Sequence, residues 1–216
     1  MDGARSRHDL GIPRVTPSSR SLLKKLPETV AKVVQNEGDK PLRVMFQDEG
    51  RFGRISDARH CWAPAGVRPE VPLQIVREYT YAFVALSPHD GIMDSLVLPE
   101  VNTKMMSLFL TEVASRHQDE CILMFMDQAG WHRAGDLNIP ENMRIQWIPS
   151  YCPQCNPVEH IWDEIREKWF PNLVFQSLDG VEDKLVETLA SLENNAGKVH
   201  SLTGFDWIIS LPLIAT

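Results

Sequence analysis

The stretch Cys121-Ile122-Leu123-Met124-Phe125-Met126-Asp127 decides the fold class. Its run of apolar residues, broken by no polar side chain on either alternate face, predicts a strand buried on both sides of a helix-covered sheet. A second short run, Leu42 to Gln47, predicts another strand, and an aspartate, Asp48, closes it as Asp127 closes the first. Val71 to Leu86 holds two stretches rich in Val, Ile, Tyr and Thr, broken near Glu78 and stopped by Pro88-His89-Asp90-Gly91; Gly91 to Leu98 adds a further strand. Ile145 to Ile148 reads as a short strand entering Pro149-Ser150-Tyr151. Asn102 or Thr103 is placed to cap a helix reaching about His117, with Met106, Phe109, Leu110 and Val113 on one face. Asn156 is placed to cap the next, with Pro157 in its first position and Val158, Ile161, Trp162, Ile165 and Trp169 at helical spacing. A last helix is expected over Leu178 to Glu193. Strands first, then helix, strand, strand, helix and helix describe an α/β fold, a mixed sheet with helices on both faces.

The chain has 216 residues, 43% of them hydrophobic, enough for one good-sized domain. Residues 1–41 read as a basic N-terminal segment holding at most a short helix over Ser21 to Asn36, and residues 42–210 as the α/β domain. No apolar run approaches the roughly 18 to 20 residues of a membrane span, and Met1 to Arg20 lacks the apolar stretch of an export signal. A cytoplasmic protein without a membrane partner is the expectation. Cys61, Cys121, Cys152 and Cys155 are then expected as reduced thiols. The formal charge of −7 is uneven: residues 1–43 carry nine basic against five acidic side chains, a net of +4 that leaves −11 for the rest. That balance disfavours a simple nucleic-acid coat. It suits an enzyme whose bound cations offset its carboxylates.

Asp48 and Asp127 follow strong strands, and functional groups in α/β sheets gather at strand ends. Glu159 lies 32 positions beyond Asp127, in the first turn of an amphipathic helix. Three ionised carboxylates brought together repel one another unless cations neutralise them. Mg²⁺ prefers oxygen ligands, so such a trio suits a magnesium site for phosphodiester chemistry. Each residue also has a duller reading: strand-end aspartates form turns, and Asn156 with Glu159 spells a capping box.

Three segments add weight: FQDEGRFGR (Phe46–Arg54), LMFMDQAGWH (Leu123–His132) and PSYCPQCNPVEHIWDEIREKWF (Pro149–Phe170). They resemble the signature blocks of mariner-type DDE transposases, nearest to the bacterial insertion-sequence branch. WAPAGVRP (Trp62–Pro69) also fits, and a looser likeness persists to TGFDWI (Thr203–Ile208). The resemblance implies an RNase H-like fold with a five-stranded sheet, and metal-dependent cleavage and strand transfer of double-stranded DNA at transposon ends and target. It places the metal-binding catalytic trio on Asp48, Asp127 and Glu159, with two Mg²⁺ or Mn²⁺ ions, Asp48 bridging both. Glu49, Arg51, Trp131, His132 and Asn156 fall where DNA-contacting or supporting residues belong. A dimer on DNA and a helix-turn-helix DNA-binding region located elsewhere are further expectations. The loop Cys152-Pro153-Gln154-Cys155 departs from relatives and invites a zinc or redox reading, with drift in a mobile-element copy the simpler one. A catalytically inactive remnant and an RNase H-like nuclease are the alternatives the sequence leaves open.

Overall fold

The computed structural model describes residues 17–36, 40–56, 59, 62–130, 132, 135–149 and 152–211, without the side chains of 17–24. Helix α1 (Pro17–Asn36) leads into a five-stranded sheet made of β1 (Leu42–Ile55), β2 (Ile75–Leu86), β3 (Met93–Leu98), β4 (Cys121–Met126) and β5 (Met143–Trp147). Helix α2 (Thr103–Arg116) connects β3 to β4; α3 (Glu159–Glu164), α4 (Leu178–Glu193), α5 (Ala196–Thr203) and α6 (Asp206–Ile209) follow β5. The strand order is β3-β2-β1-β4-β5. β1 pairs antiparallel with β2 and parallel with β4, and β5 runs parallel to β4. This is the expected mixed sheet of an RNase H-like fold, and among the described residues no helix is long and apolar enough to cross a membrane.

β4 shows why the apolar run decides the fold. Cys121, Leu123 and Phe125 pack into the core shared with α1 and the helices after β5. Ile122, Met124 and Met126 pack against Met106, Phe109, Leu110 and Val113 of α2. All six strand residues are buried, because helices cover both faces. The Asn102 side chain caps α2 by accepting the Met105 N–H at 2.9 Å, as expected.

Several expectations change. β1 does not end before Asp48. Its parallel register with β4 stops at Phe46↔Phe125, but antiparallel pairing with β2 carries it on to Ile55↔Ile75. β2 is accordingly one strand, unbroken at Glu78, since that segment pairs with the extended end of β1. Two glycines make this extension close-packed: a Cβ on Gly50 would meet the Trp162 ring at 2.9 Å, and one on Gly53 would lie 2.3 Å from the Glu78 carbonyl oxygen. β5 begins at Met143, held by its pairing with Ile122.

The helix after β5 is not continuous from Pro157 to Trp169. α3 starts at Glu159, and Ile165–Trp169 forms a π turn closed by the Phe170 N–H on the Ile165 carbonyl at 3.0 Å. α1 starts earlier than expected, at Pro17. One cysteine pair also departs from the reduced state: Cys152 and Cys155 are joined in a disulfide. The 3₁₀ turn Pro153–Cys155 brings their Cα atoms to 5.4 Å and so allows it. Cys121 is buried in β4, and Cys61 lies outside the described residues.

Candidate active site

Asp48 sits on β1 immediately past the point where β4 stops pairing, and Asp127 is the first residue after β4. The two backbones diverge there, which opens a gap at the sheet's carboxyl edge. Glu159 enters from the first turn of α3. One cleft of about 370 Å³ is lined by Asp48, Asp127 and Glu159, together with Asn156 and Cys152. The three segments quoted from the sequence thus supply three carboxylates to one space.

The loop that presents Glu159 is tied to β1. The Asn156 side-chain amide donates to the Gln47 carbonyl at 2.9 Å, and its oxygen accepts the Val158 N–H at 3.2 Å. Asn156 is therefore not the N-cap of α3. It folds the approach to the helix while gripping the residue beside Asp48, and Val158 takes the cap position without a side-chain bond. The first turn closes with the Glu159 N–H on the Asn156 carbonyl at 3.3 Å, so the Asn-x-x-Glu capping box is not what fixes Glu159.

Trp162, one turn after Glu159, reaches across Gly50 and donates its indole N–H to Asp48 Oδ2 at 2.9 Å. Burial pushes the Asp48 carboxyl up to about 7 in spite of this bond, and the charges of Glu159 and Glu49 push the same way. Burial raises Glu159 as well, against the pull of the nearby Arg166 charge.

Asp127 is held differently. His132, 1% exposed, places Nδ1 at 2.7 Å from Asp127 Oδ1 and Nε2 at 2.7 Å from Glu49 Oε1. Burial alone would lower the imidazole, but the hydrogen bonds to Asp127 and Glu49 outweigh it and carry His132 up to about 10. His132 is thus an imidazolium clamped between two carboxylates, and its hydrogen bond keeps Asp127 below the usual carboxylate range. Of the residues expected to contact DNA or support the site, His132 bonds Asp127, and the Glu49 side chain bonds His132. Arg51 lies at the cleft's flank with its guanidinium 4.6 Å from the Tyr79 ring centre. Trp131 lies outside the described residues. The sequence reading missed Trp162 as a polar partner, because its spacing placed it on the apolar face of the helix.

The donor set fits a hard divalent cation. Its free atoms are carboxylate oxygens, and the one sulfur on the wall, Cys152, is tied up in the disulfide. Beyond burial, the charges of Glu159 and Glu49 both push the Asp48 carboxyl up, a mutual repulsion that a bound cation would relieve. Among the described residues no three such side chains are already drawn tightly enough to grip an ion, since Trp162 and His132 each hold an oxygen of the two aspartates.

Residues 43–182 match the family model described as DDE superfamily endonuclease. An uncharacterized protein of Sinorhizobium fredii, y4pE/y4sA, is 30% identical over 130 residues, 60% of this chain and 96% of its own length. The catalytic domain of Mos1 mariner transposase has the same fold, with a TM-score of 0.51 at 15% identity over 93% of this chain and 97% of that domain. The Mos1 paired-end complex crystallised with Mn gives a TM-score of 0.54 at 15% identity, covering 89% of this chain and 64% of the transposase chain. This chain therefore spans about two thirds of that transposase's length. With its carboxylates inside the matched segment, the protein belongs to the DDE superfamily endonucleases.

Proposed function

We propose that the protein is the catalytic unit of a DNA transposase, which cuts double-stranded DNA at the ends of a mobile element and joins the freed ends to a target. The supporting observation is the meeting of Asp48, Asp127 and Glu159 in one cleft. In this reading a water oxygen displaces O3′ of the scissile phosphodiester, leaving a 3′-hydroxyl that then attacks a target phosphodiester and displaces the target strand's own O3′. Asp48, Asp127 and Glu159 would hold the divalent cations, Mg²⁺ or Mn²⁺, which would supply the charge that activates the attacking oxygen and steadies the leaving one. The chain's own residues prepare that arrangement. Trp162 fixes one Asp48 oxygen; His132 fixes Asp127; Asn156 ties the approach to Glu159 to β1. The Mos1 paired-end complex is an assembly around transposon ends, and by analogy this chain acts as a dimer on DNA, with a helix-turn-helix DNA-binding region located elsewhere. Residues 42–210 form the catalytic domain in this reading.

The test is nicking of a labelled transposon-end duplex in Mn²⁺ by the wild-type protein and by Asp127→Asn. Wild-type nicking that falls at least about a hundredfold in the variant, with equal thermal unfolding midpoints, is the expected result. Equal rates in the two folded proteins would rule the catalytic assignment out.

A further inference from the structure

Beside the carboxylate cleft, between the far end of β1 and the π turn, lies a second hollow of about 230 Å³. Two guanidiniums stand at it. Arg51 lies over Tyr79 with its guanidinium carbon 4.6 Å from the ring centre, and Arg166 lies over Phe52 at 5.6 Å. The hollow's remaining wall is largely apolar, with Phe170 and Phe175 at its base. Neither arginine forms an ion pair with a carboxylate among the described residues, although the chain is strongly acidic. Arg54, two residues from Phe52 on the same strand, behaves oppositely: it is spent on Glu78 at 2.7 Å and on the Phe175 carbonyl at 3.0 Å.

An arginine stacked on an aromatic ring keeps the edge of its planar fork available for hydrogen bonding while its orientation is fixed. Two such forks, neither ion-paired among the described residues, form a receptor for an oxyanion. Their position names the oxyanion. Arg51 also lines the open groove of about 720 Å³ that contains Asp48 and Asp127, so the two-arginine hollow and the carboxylate site lie along one continuous surface. Arg166 stands on the helical segment that begins with Glu159 and is near enough for its charge to act on that carboxyl.

We propose that Arg51 and Arg166 together hold a backbone phosphate of the DNA strand that leaves the carboxylate cleft along β1, beyond the phosphodiester being cut. This assignment rests on the DNA-cutting role proposed above. It gives the two residues a positioning function. An acidic protein must anchor a polyanion close to its own carboxylates, and a clamp one step along the strand does so without forming an ion pair with them. Sequence-independent recognition follows, because a phosphate carries no base identity.

The experiment measures binding of a fluorescently labelled mixed-sequence duplex by the full chain across a salt series. Each phosphate contact contributes about one unit to the slope of log affinity against log salt. Arg51→Gln and Arg166→Gln are each expected to weaken binding about tenfold, and the double variant to flatten the slope by about one unit, since the two side chains share one phosphate. Lysine at both positions keeps the charge and is expected to restore the slope. A double glutamine variant with the wild-type slope and affinity would overturn the assignment. So would lysine variants that lose the slope as completely as the glutamine ones, since the effect would then be distortion rather than charge. If the wild type nicks DNA in Mn²⁺ while the double variant keeps its slope, only the clamp fails. If the wild type shows no salt-dependent binding to duplex at all, the DNA-cutting role fails with it.

Discussion

At the scale of single residues, the site depends on two hydrogen-bond donors that are not themselves acidic. His132 is the more consequential. It is almost fully buried and bridges Glu49, whose side chain is 8% exposed, to Asp127, whose side chain is 54% exposed and faces the cleft. Replacing it leaves the Glu49 carboxylate buried without its cation, a cost that exceeds the value of the bond itself. His132→Gln is expected to lose roughly 2–3 kcal/mol of stability. It should also weaken the Mn²⁺-dependent rise in melting temperature about 10- to 100-fold in apparent affinity, the usual effect of removing a ligand's supporting partner. Urea unfolding together with a Mn²⁺ titration of the melting temperature reads both quantities. Wild-type values for both would show that the bridge positions nothing. The acidic trio was legible chiefly through the three quoted segments and their family resemblance, since each carboxylate alone also reads as a turn or cap residue. The bridge was not, since it depends on residues 83 apart meeting through the β1–β4 pairing. Trp162 was hidden for a related reason: helical spacing reports which face is buried, and says nothing about which buried atom is polar.

At the scale of elements, the site rests on the extension of β1 beyond its parallel partner. Asp48 lies within a strand that continues to Ile55, so antiparallel pairing with β2 fixes its backbone on one side while the other side opens into the cleft. Little in the local residue pattern signals that extension. Gly50, Arg51, Gly53 and Arg54 dilute the apolar pattern, and the segment is a strand because β2 pairs with it rather than through local propensity. The same non-local reason explains why Asn156, well suited to a helix cap, is instead recruited by the Gln47 carbonyl 109 residues away. β4 could be read directly, because burial on both faces leaves an apolar signature that needs no partner to be recognised. Gly53 tests the extension. A methyl group there would meet the Glu78 carbonyl oxygen at 2.3 Å and the Tyr79 ring at 2.5 Å, and the backbone oxygen cannot swing aside as the end of a side chain can. Gly53→Ala is expected to destabilise the protein by roughly 1–3 kcal/mol. Faster amide hydrogen exchange should appear in residues 50–55 and 75–82 before the rest of the sheet. Uniform exchange at the wild-type level in those residues would show that the close approach is not needed.

At the scale of the whole molecule, the helix carrying Glu159 must be held against the C-terminal helices as well as against the sheet. Glu164, the last residue of α3, makes that connection. Its side chain is 8% exposed and accepts from Lys168 at 3.0 Å within its own segment and lies 3.0 Å from Lys198 of α5. Burial pushes the Glu164 carboxyl up, but the hydrogen bonds from Lys168 and Lys198 outweigh it and hold the group below the usual carboxylate range. The sign of the linkage follows. A carboxylate with a lowered folded-state pKa binds its proton less readily when folded, so its stabilisation is complete above the unfolded value, about 4.3. It disappears as pH falls through the lower folded value. Lys168 is 59% exposed and water screens its share, so the α3–α5 contact through Lys198, 34% exposed, carries most of the effect. Glu164→Gln is therefore expected to cost roughly 1–2 kcal/mol at pH 7, with the difference from wild type shrinking towards zero below about pH 4. Urea unfolding of both proteins at pH 7 and at pH 3.5 measures it. A penalty of the same size at both values would mean that the shape of the side chain, rather than its charge, joins the site helix to α5.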